Sequence, residues 1–522
     1  MTDTPGNQEP SLESRLADHP LTAQRLEKHM AVVAAEGYPY RFERSTYAND
    51  LHERYGSLQP GEETDDRATV AGRLMAMRRM GKLIFAVLQD PTGRLQLFVD
   101  MRTLGEQAFD RFDNLDIGDW VGASGVVLTT KKGEVSVRID TYELLSKALR
   151  PLPEKWHGLQ DVEIRSRRRY VDLMVNEDAR RIALTRARIV TELRRQFEDR
   201  GYIEVETPVL LPQATGALAR PFLTHHHALD QDMYLRIATE LYLKRLVVGG
   251  LERVFEVGRI FRNEGIDATH NPEFTMLESY EAFADYHDIM VMVEEMVAAC
   301  AVVATGSTEI TYQGRSLDLS PPFRRARMID LVAESVDEPV GFDRPIEEMR
   351  TLARRHGIEP DGLWGHGKII DQLFEALVAD SIWDPTYVLD HPKEVSPLAR
   401  EHRDDPNLTE RYELFIAGEE YANAFSELND PLDQRRRFEQ QAIARSEGDD
   451  EAHPIDEDYL LALEYGLPPT GGLGIGVDRL VMLLTDQHHI REVILFPTLR
   501  REAEITRHLT HDDEWVTPDE SK

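Results

Sequence analysis

Two runs of alternating residues flank a short loop in 253-RVFEVGRIFRNEGIDATHNPEFTMLESYEA-282. RVFEVGRIFRNE and PEFTMLESYEA each repeat with the period of a strand, and EGIDATHN makes the loop of a hairpin. Side chains two apart on a strand share a face, so Arg262 joins Glu264, and Phe274 joins Glu278 and Tyr280. A buried ion network is one use for such a set. A site is the other: Arg offers a planar fork to carboxylate or phosphate, His270 near the loop tip can reach a distal phosphate, and Phe274 offers a flat ring.

Around this hairpin, from Asn176 to about residue 500, strands and helices mix without a regular βαβ repeat. The pattern predicts an α+β domain built on an antiparallel sheet. Asn176 can cap a helix with Glu177 and Asp178 in its first turn; Ile182, Arg186, Ile189, Leu193 and Phe197 recur at helical spacing, and Gly201 ends it. YIEVETPVLL, carrying Pro208, reads as the next strand.

Two further stretches carry chemistry. In 411-RYELFIAGEEYANAFSELND-430, Asn423, Phe425 and Glu427 alternate onto one face. Glu413 and Glu420 break that parity, which predicts a bulge at Gly418. Carboxylates aimed at one pocket call for a hard cation such as Mg²⁺ shared with substrate phosphates; an exposed acidic strand is the alternative. In 471-GGLGIGVDRLVMLL-484, Gly472, Gly474 and Gly476 alternate, leaving one strand face as a flat floor for a ring, with Arg479 at the start of a helix. This is not a dinucleotide fingerprint, since no βαβ unit surrounds it. His225, His226 and His227 are consecutive and cannot converge on one ion from a regular strand, which argues against a metal there.

Residues 67–147 differ in character. ATVAGRLMAM, LIFAVLQD, RLQLFVD, DWVGASGVVLTT and EVSVRIDTYELL are short β runs separated by turns, with a helical insert near EQAFDRFDNL. They predict a five-stranded barrel of the oligonucleotide-binding type. Arg78, Arg79, Lys82, Lys131 and Lys132 cluster in this stretch beside Phe85 and Phe98, which points to RNA. The expected domains are an extension over 1–64, disordered to about residue 20 and then helical around LTAQRLEKHMAVVAAEG; the barrel over 65–150; a Pro-rich hinge over 151–175; the α+β domain over 176–500; and a polar tail over 501–522. The run 61-GEETDD-66 reads as an acidic linker.

Composition bounds the function classes. The chain of 522 residues carries a formal net charge of −33, with 51 Arg but only 10 Lys. That balance opposes nonspecific nucleic-acid binding. An acidic, lysine-poor surface suits a salt-rich cytoplasm, and an Arg-biased genome gives the same deficit. The lone Cys300 rules out an internal disulfide and a cysteine-rich zinc site, and reads as a buried inert thiol. No apolar run reaches the roughly 18–20 residues that span a bilayer. The polar N-terminus lacks signal-peptide features, so a cytoplasmic location is expected.

In order, GYIEVETPVLLP, FEVGRIFRNEGIDATHNPEFTMLESY and GLGIGVDRLVML resemble the three signature motifs of class II aminoacyl-tRNA synthetases. ARPFLTHH, YLRIATELYLKRL, EVSPLAR, FSELNDP and EYGLPPTGGLGIG are similar to segments of the lysyl-tRNA synthetase family. The resemblance runs from about residue 65 to 500. It implies a class II catalytic domain with an N-terminal OB-fold that reads the anticodon, a homodimer, ATP, Mg²⁺, lysine and tRNA(Lys) as partners, and no organic cofactor or zinc.

Site roles follow from the same resemblance. Arg262 would bridge the lysine carboxylate and the ATP α-phosphate, Glu264 would meet the adenine amine, and Phe274 the adenine ring. His270 and Arg479 would hold the outer phosphates, with Arg262 and Arg479 catalytic. Glu413 and Glu420 match the magnesium ligands. Gly216, Glu240 and Glu278 would receive the α-amino group, Asn423 the carboxylate, and Tyr280 and Glu427, beside Phe425, the side-chain ammonium. Phe85 and Gln96 match anticodon contacts. A pocket built for an ammonium rejects analogues lacking it by ~10⁴-fold, and a chain one methylene shorter by only ~10–200-fold, so ornithine is the harder competitor.

Two positions depart from the family pattern: Thr215 where Gly is frequent, and Glu419 where Arg is common. A relative that lysylates a protein would lack the barrel, and a noncatalytic paralogue would have lost Arg262, Glu413, Glu420 and Arg479. All of these are present here.

Overall fold

A computed structural model describes residues 11–35, 37–153, 159, 161–213, 216, 219–446 and 455–500. The chain divides into two compact units between residues 160 and 161.

In the first unit β1 (Glu63–Met80), β2 (Leu83–Gln89), β3 (Arg94–Asp100), β4 (Trp120–Thr129) and β5 (Val135–Ser146) close into a barrel in the order β1-β2-β3-β5-β4. β1 is long enough to pair with β4 along its first half and β2 along its second. Alternation sends Leu74, Ile84, Ala86, Leu97 and Val137 inward, each wholly buried. The expected helical insert is there, Glu106–Asp113, and plugs the barrel with Phe109 and Phe112.

Three expectations change in this unit and its flank. GEETDD is no linker, because β1 starts at Glu63: Glu63 pairs with Leu128, and Thr64 Oγ1 donates to Val127 O at 2.8 Å. Backbone pairing outweighs the turn-like composition. Residues 12–17 form a helix capped by Ser11, while residues 1–10 and the tail 501–522 lie outside the described residues. The expected hinge is shorter: Val162–Arg167 and Arg169–Val175 are helices of the second unit, where buried Arg169 donates to the carbonyls of Leu495 (3.2 Å) and Arg491 (2.7 Å).

The second unit is built on eight strands: β6 (Ile203–Glu204), β7 (Arg253–Phe261), β8 (Glu273–Ala282), β9 (Arg324–Arg327), β10 (Thr386–Leu389), β11 (Arg411–Ile416), β12 (Glu419–Ser426) and β13 (Thr470–Gly476). Their order is β9-β10-β11-β12-β13-β8-β7-β6, antiparallel except for the outermost pair at each edge. One face of the central strands, through Tyr412, Leu414, Ala422, Ala424, Leu277, Leu473 and Ile475, packs on the helices Glu177–Asp199, Tyr286–Thr305 and Val477–Thr485. Cys300 lies in that core, and burial pushes its thiol up to about 12, as an inert group requires.

YIEVETPVLL is not one strand. Ile203–Glu204 and Leu210–Leu211 pair separately, with Pro208 between them unable to donate. The Thr207 N–H goes instead to Glu256 Oε2 at 3.0 Å, and buried Arg236 closes on Glu256 Oε1.

Candidate active site

The other face of the sheet is the site, and register composes it. Arg411, Phe425, Gly472 and Tyr280 stand opposite one another across β11, β12, β13 and β8. Two residues along, Glu413, Asn423, Gly474 and Glu278 form the next row. Residues from four distant segments thus share a surface with a glycine column down its middle. A Cβ at Gly472 would lie 1.8 Å from Glu427 Oε1 and 2.7 Å from Tyr280 Cε1; at Gly474 it would meet Met276 Cε at 3.2 Å. At Gly472 the wall leaves no room for a side chain, while at Gly474 only the flexible end of Met276 stands close.

The parity problem of Glu413 and Glu420 resolves differently from expectation. Ala417 (φ 50°) and Gly418 (φ 83°) make a hairpin turn rather than a bulge. The irregularity is at Tyr421: Leu414 pairs with Ala422 and Phe415 with Glu420, leaving Tyr421 over. The extra residue brings Glu420 round to the cavity side with Asn423, while Tyr421 and Ala422 are buried. Glu419 lines neither cavity described below.

Two cavities open on this face and share Arg262, Met276, Arg411, Asn423 and Gly474. One, of about 250 Å³, is lined also by Gly216, Glu240, Glu278, Tyr280 and Phe425. The other, of about 350 Å³, takes in Glu264, His270, Phe274, Glu413, Glu420 and Arg479. β7 stops at Phe261, so Arg262 leaves the strand, its N–H held by Pro272 O at 2.9 Å. Its guanidinium stands over Phe274, 5.3 Å from the ring centroid, and its buried Nε has no hydrogen-bond partner among the described residues. Burial lowers its proton affinity against the pull of Glu264 and Glu278. A buried cation with an open donor is a seat for an anion.

At the far wall Arg479 Nη2 faces His270 Nε2 at 3.3 Å, and Arg479 Nη1 donates to Glu420 O at 2.8 Å. Arginine only donates, so Nε2 accepts and the ring proton sits on Nδ1, aimed at Asp267 (2.9 Å). Arg479 belongs to a helix tied to the rest of the unit: Asp478 accepts the Thr275 N–H at 2.6 Å and pairs with Arg186 at 2.5 Å.

The acidic groups are strained electrostatically. Glu278, 4% exposed, accepts the Thr239 N–H at 3.1 Å, yet burial and the Glu240 charge push its carboxyl up to about 7. Burial and Glu413 push Glu420 up to about 7. Glu413 is raised by burial, although Arg411 Nη2 reaches Glu413 Oε1 at 2.6 Å. Two carboxylates held beside an anion seat, each with its proton affinity raised by burial, fit a hard divalent cation.

One expected residue is set deeper than the rest. Glu427 is not in direct contact with either cavity: its Oε1 lies where a Cβ on Gly472 would stand, beside Tyr280 in the row that ends the smaller cavity, and its Oε2 is in contact with Lys244. Thr215 lies outside the described residues. Arg411 and Lys244 went unassigned in the sequence reading. Arg411 is two residues before Glu413 and shares its face; Lys244 is four after Glu240 on a helix, the spacing of an ion pair.

On the barrel, Arg78, Phe85, Phe98 and Arg138 form one outward row across β1, β2, β3 and β5. Phe85 and Phe98 meet edge to face at 5.4 Å. Gln96 stands one row along, its Oε1 accepting from Ser136 Oγ at 3.2 Å, which turns its amide N–H₂ outward. The basic residues do not form one cluster: Arg79 pairs with Asp113, Lys82 adjoins the β1–β2 turn, and Lys131 and Lys132 occupy the β4–β5 turn, near the opposite end of β2 and β3.

Comparison with known proteins agrees with these features. The family described as tRNA synthetases class II (D, K and N) matches residues 161–500, and the OB-fold nucleic acid binding domain matches 68–145. A lysine–tRNA ligase of Moorella thermoacetica is 52% identical over 494 residues, 94% of this chain and 99% of the relative. One of Gloeobacter violaceus is 52% identical over 94% of this chain and 100% of the relative, and one of Enterococcus faecalis 52% over 88% and 93%. The chain belongs to the lysine–tRNA ligase family of class II tRNA synthetases.

Proposed function

We propose that the chain activates lysine with ATP and transfers it to the 3′ end of tRNA(Lys), through two adjoining cavities that share Arg262. That shared, buried guanidinium, open at Nε, is the observation that carries the reading, because it can touch both reacting anions at once.

Lysine occupies the smaller cavity. Its α-ammonium meets Gly216, Glu240 and Glu278, its carboxylate meets Arg262 and Asn423, and its side chain runs along the glycine column toward Tyr280, Phe425 and Glu427. ATP occupies the other, with adenine on Phe274 near Glu264 and the outer phosphates between His270 and Arg479. Glu413 and Glu420 would hold Mg²⁺, which when bound neutralises phosphate charge.

A lysine carboxylate oxygen attacks the α-phosphorus; the new O–P bond forms as the bond to pyrophosphate breaks. Arg262 aligns the two anions and offsets charge in the transition state, while Arg479 steadies the leaving group. The tRNA 3′-hydroxyl then attacks the carbonyl carbon and AMP leaves. No side-chain nucleophile takes part.

The barrel row around Phe85, with Gln96 beside it, stacks and reads anticodon bases. A homodimer forms through the first motif, where Ile203, Val209 and Leu210 are each at least 41% exposed. The enzyme works in the cytoplasm; none of the described helices is long and apolar enough to cross a membrane. The barrel extends over about 65–150 and the catalytic domain to residue 500.

Lysine-dependent exchange of pyrophosphate into ATP tests the reading. Exchange with lysine is expected, and Arg262→Ala removes it while leaving the dimer and its melting temperature near wild type. Exchange driven by aspartate instead, or normal turnover by Arg262→Ala, overturns it.

A further inference from the structure

The helix Glu240–Val248 carries a side chain that the site assignments leave out. Lys244 is wholly inaccessible; its Nζ meets Glu240 Oε1 at 2.6 Å and closes on Glu427 Oε2. Three rings complete the enclosure, with Nζ 5.4 Å from the centroid of Phe425 and 5.8 Å from those of Tyr280 and Tyr459. Every packed element contributes: Glu240 from the same helix, Tyr280 and the more distant Glu278 from β8, Phe425 and Glu427 from β12 and the residue after it, and Tyr459 from the helix Glu457–Glu464. Burial works against the Lys244 charge, but Glu240 and Glu427 hold the proton on more strongly than in water. Burial pushes Glu427 well up, and Lys244 is first among the groups pulling it back.

Lys244 engages only part of the Glu427 carboxylate. Glu427 Oε1 is buried, abuts Gly472 and has no hydrogen-bond partner among the described residues. The charges also count. Glu240 and Glu427 flank Lys244, and Glu278, which also feels the Arg262 charge, brings a third carboxylate to the pocket. A lysine substrate brings two ammonium groups, its carboxylate being matched by Arg262.

Resting on the lysine pocket proposed above, we propose that Lys244 is a specificity-determining positioning residue. It neutralises one of three pocket carboxylates and pins Glu427 so that Oε1 faces the substrate's side-chain ammonium. The pocket is then the charge complement of a diamino acid. A neutral analogue such as norleucine leaves Glu427 Oε1 unmatched.

The test is Lys244→Met, a neutral side chain of similar length, assayed by pyrophosphate exchange from pH 7 to 9. The lysine KM is expected to rise at least about tenfold at pH 7.5 with the ATP KM unchanged, and discrimination against norleucine to fall. The defect shrinks as pH rises, because Glu427 without Lys244 needs higher pH to ionise. An unchanged lysine KM, or a loss that is equal at every pH and shared by ATP, overturns the proposal.

Calorimetry of lysine binding to the wild-type enzyme at pH 8, in buffers of different ionisation enthalpy, decides even if the variant does not fold. No net proton release is expected, and release of about one proton per site overturns the proposal. Glu427→Gln separates the two readings. If it raises the lysine KM while Lys244→Met does not, only the role of Lys244 falls; if neither does, the pocket assignment falls with it.

Discussion

Arg411 Nε donates to Asn423 Oδ1 at 3.1 Å, and the direction of that bond decides which way the amide points. A guanidinium has no acceptor, so Oδ1 is the bonded atom and the Asn423 N–H₂ is turned away, free to donate to a carboxylate. Arg411 is itself fixed by Val395 O (3.1 Å), Ser396 Oγ (3.0 Å) and Glu413 (2.6 Å). Arg411→Lys keeps the charge but loses the fork. Its kcat/KM for lysine in pyrophosphate exchange is expected to fall roughly 10–100-fold, mostly through KM, with a smaller effect on ATP.

Glu278 makes binding and stability respond to pH in opposite directions. Its folded carboxyl is raised to about 7 from an ordinary 4.5, so the native state binds more protons than the unfolded chain between those values. Its contribution to stability therefore falls as pH rises from about 4.5 to 7, by up to about 1.4 kcal/mol per unit. Lysine needs the ionised form, so kcat/KM for lysine is expected to rise about tenfold per unit below pH 7 and level off above it. Thermal melts and exchange rates from pH 5.5 to 8.5 check both slopes; Glu278→Gln should flatten its share of each.

Gly472 and Gly474 separate the two cavities by substitution. At Gly472 an added methyl collides with Glu427 Oε1 and Tyr280, so Gly472→Ala displaces the carboxylate, costs about 1–3 kcal/mol of stability, and raises the lysine KM. At Gly474 only the flexible end of Met276 stands in the way, and the methyl projects from the floor common to both cavities. Gly474→Ala is expected to keep its melting temperature within a few degrees while raising the KM for both ATP and lysine. Melting curves and paired KM measurements distinguish the two variants.

Phe85→Ala removes one ring from the outward row of the barrel and leaves the second unit untouched. Loss of a stacked base is worth about 1–3 kcal/mol, so the KM for tRNA in aminoacylation is expected to rise roughly 5–150-fold. Lysine-dependent pyrophosphate exchange, measured on the same preparation without tRNA, stays at the wild-type rate.

Much of the site was legible because it lies on strands, where parity alone groups residues. Phe274, Glu278 and Tyr280 share a face, as do Asn423 and Phe425, and both faces line the cavities. Parity misled where the strand was irregular. An unpaired Tyr421 looks like any strand residue, and only its mismatch with β11 shows that Glu420 turns to the cavity. Acidic composition misled in the other direction: Glu63–Asp66 of GEETDD lie in β1, with Glu63 opposite Leu128. The barrel's bases looked clustered because the chain is short between turns that the register sends apart.

By itself the sequence determined the local periods, the helix caps, the five barrel strands and the motif words that mark the family, since these depend on neighbours along the chain. Only the tertiary structure decided that Arg411 aims Asn423, that Glu427 Oε1 comes to rest over Gly472, and that Lys244 already occupies part of its carboxylate. Those are relations across four strands and a helix, set by register and by the need of each buried charge to find a partner. A carboxylate's partner in the core is the nearest cation in space, and no spacing along the chain specifies which one that will be.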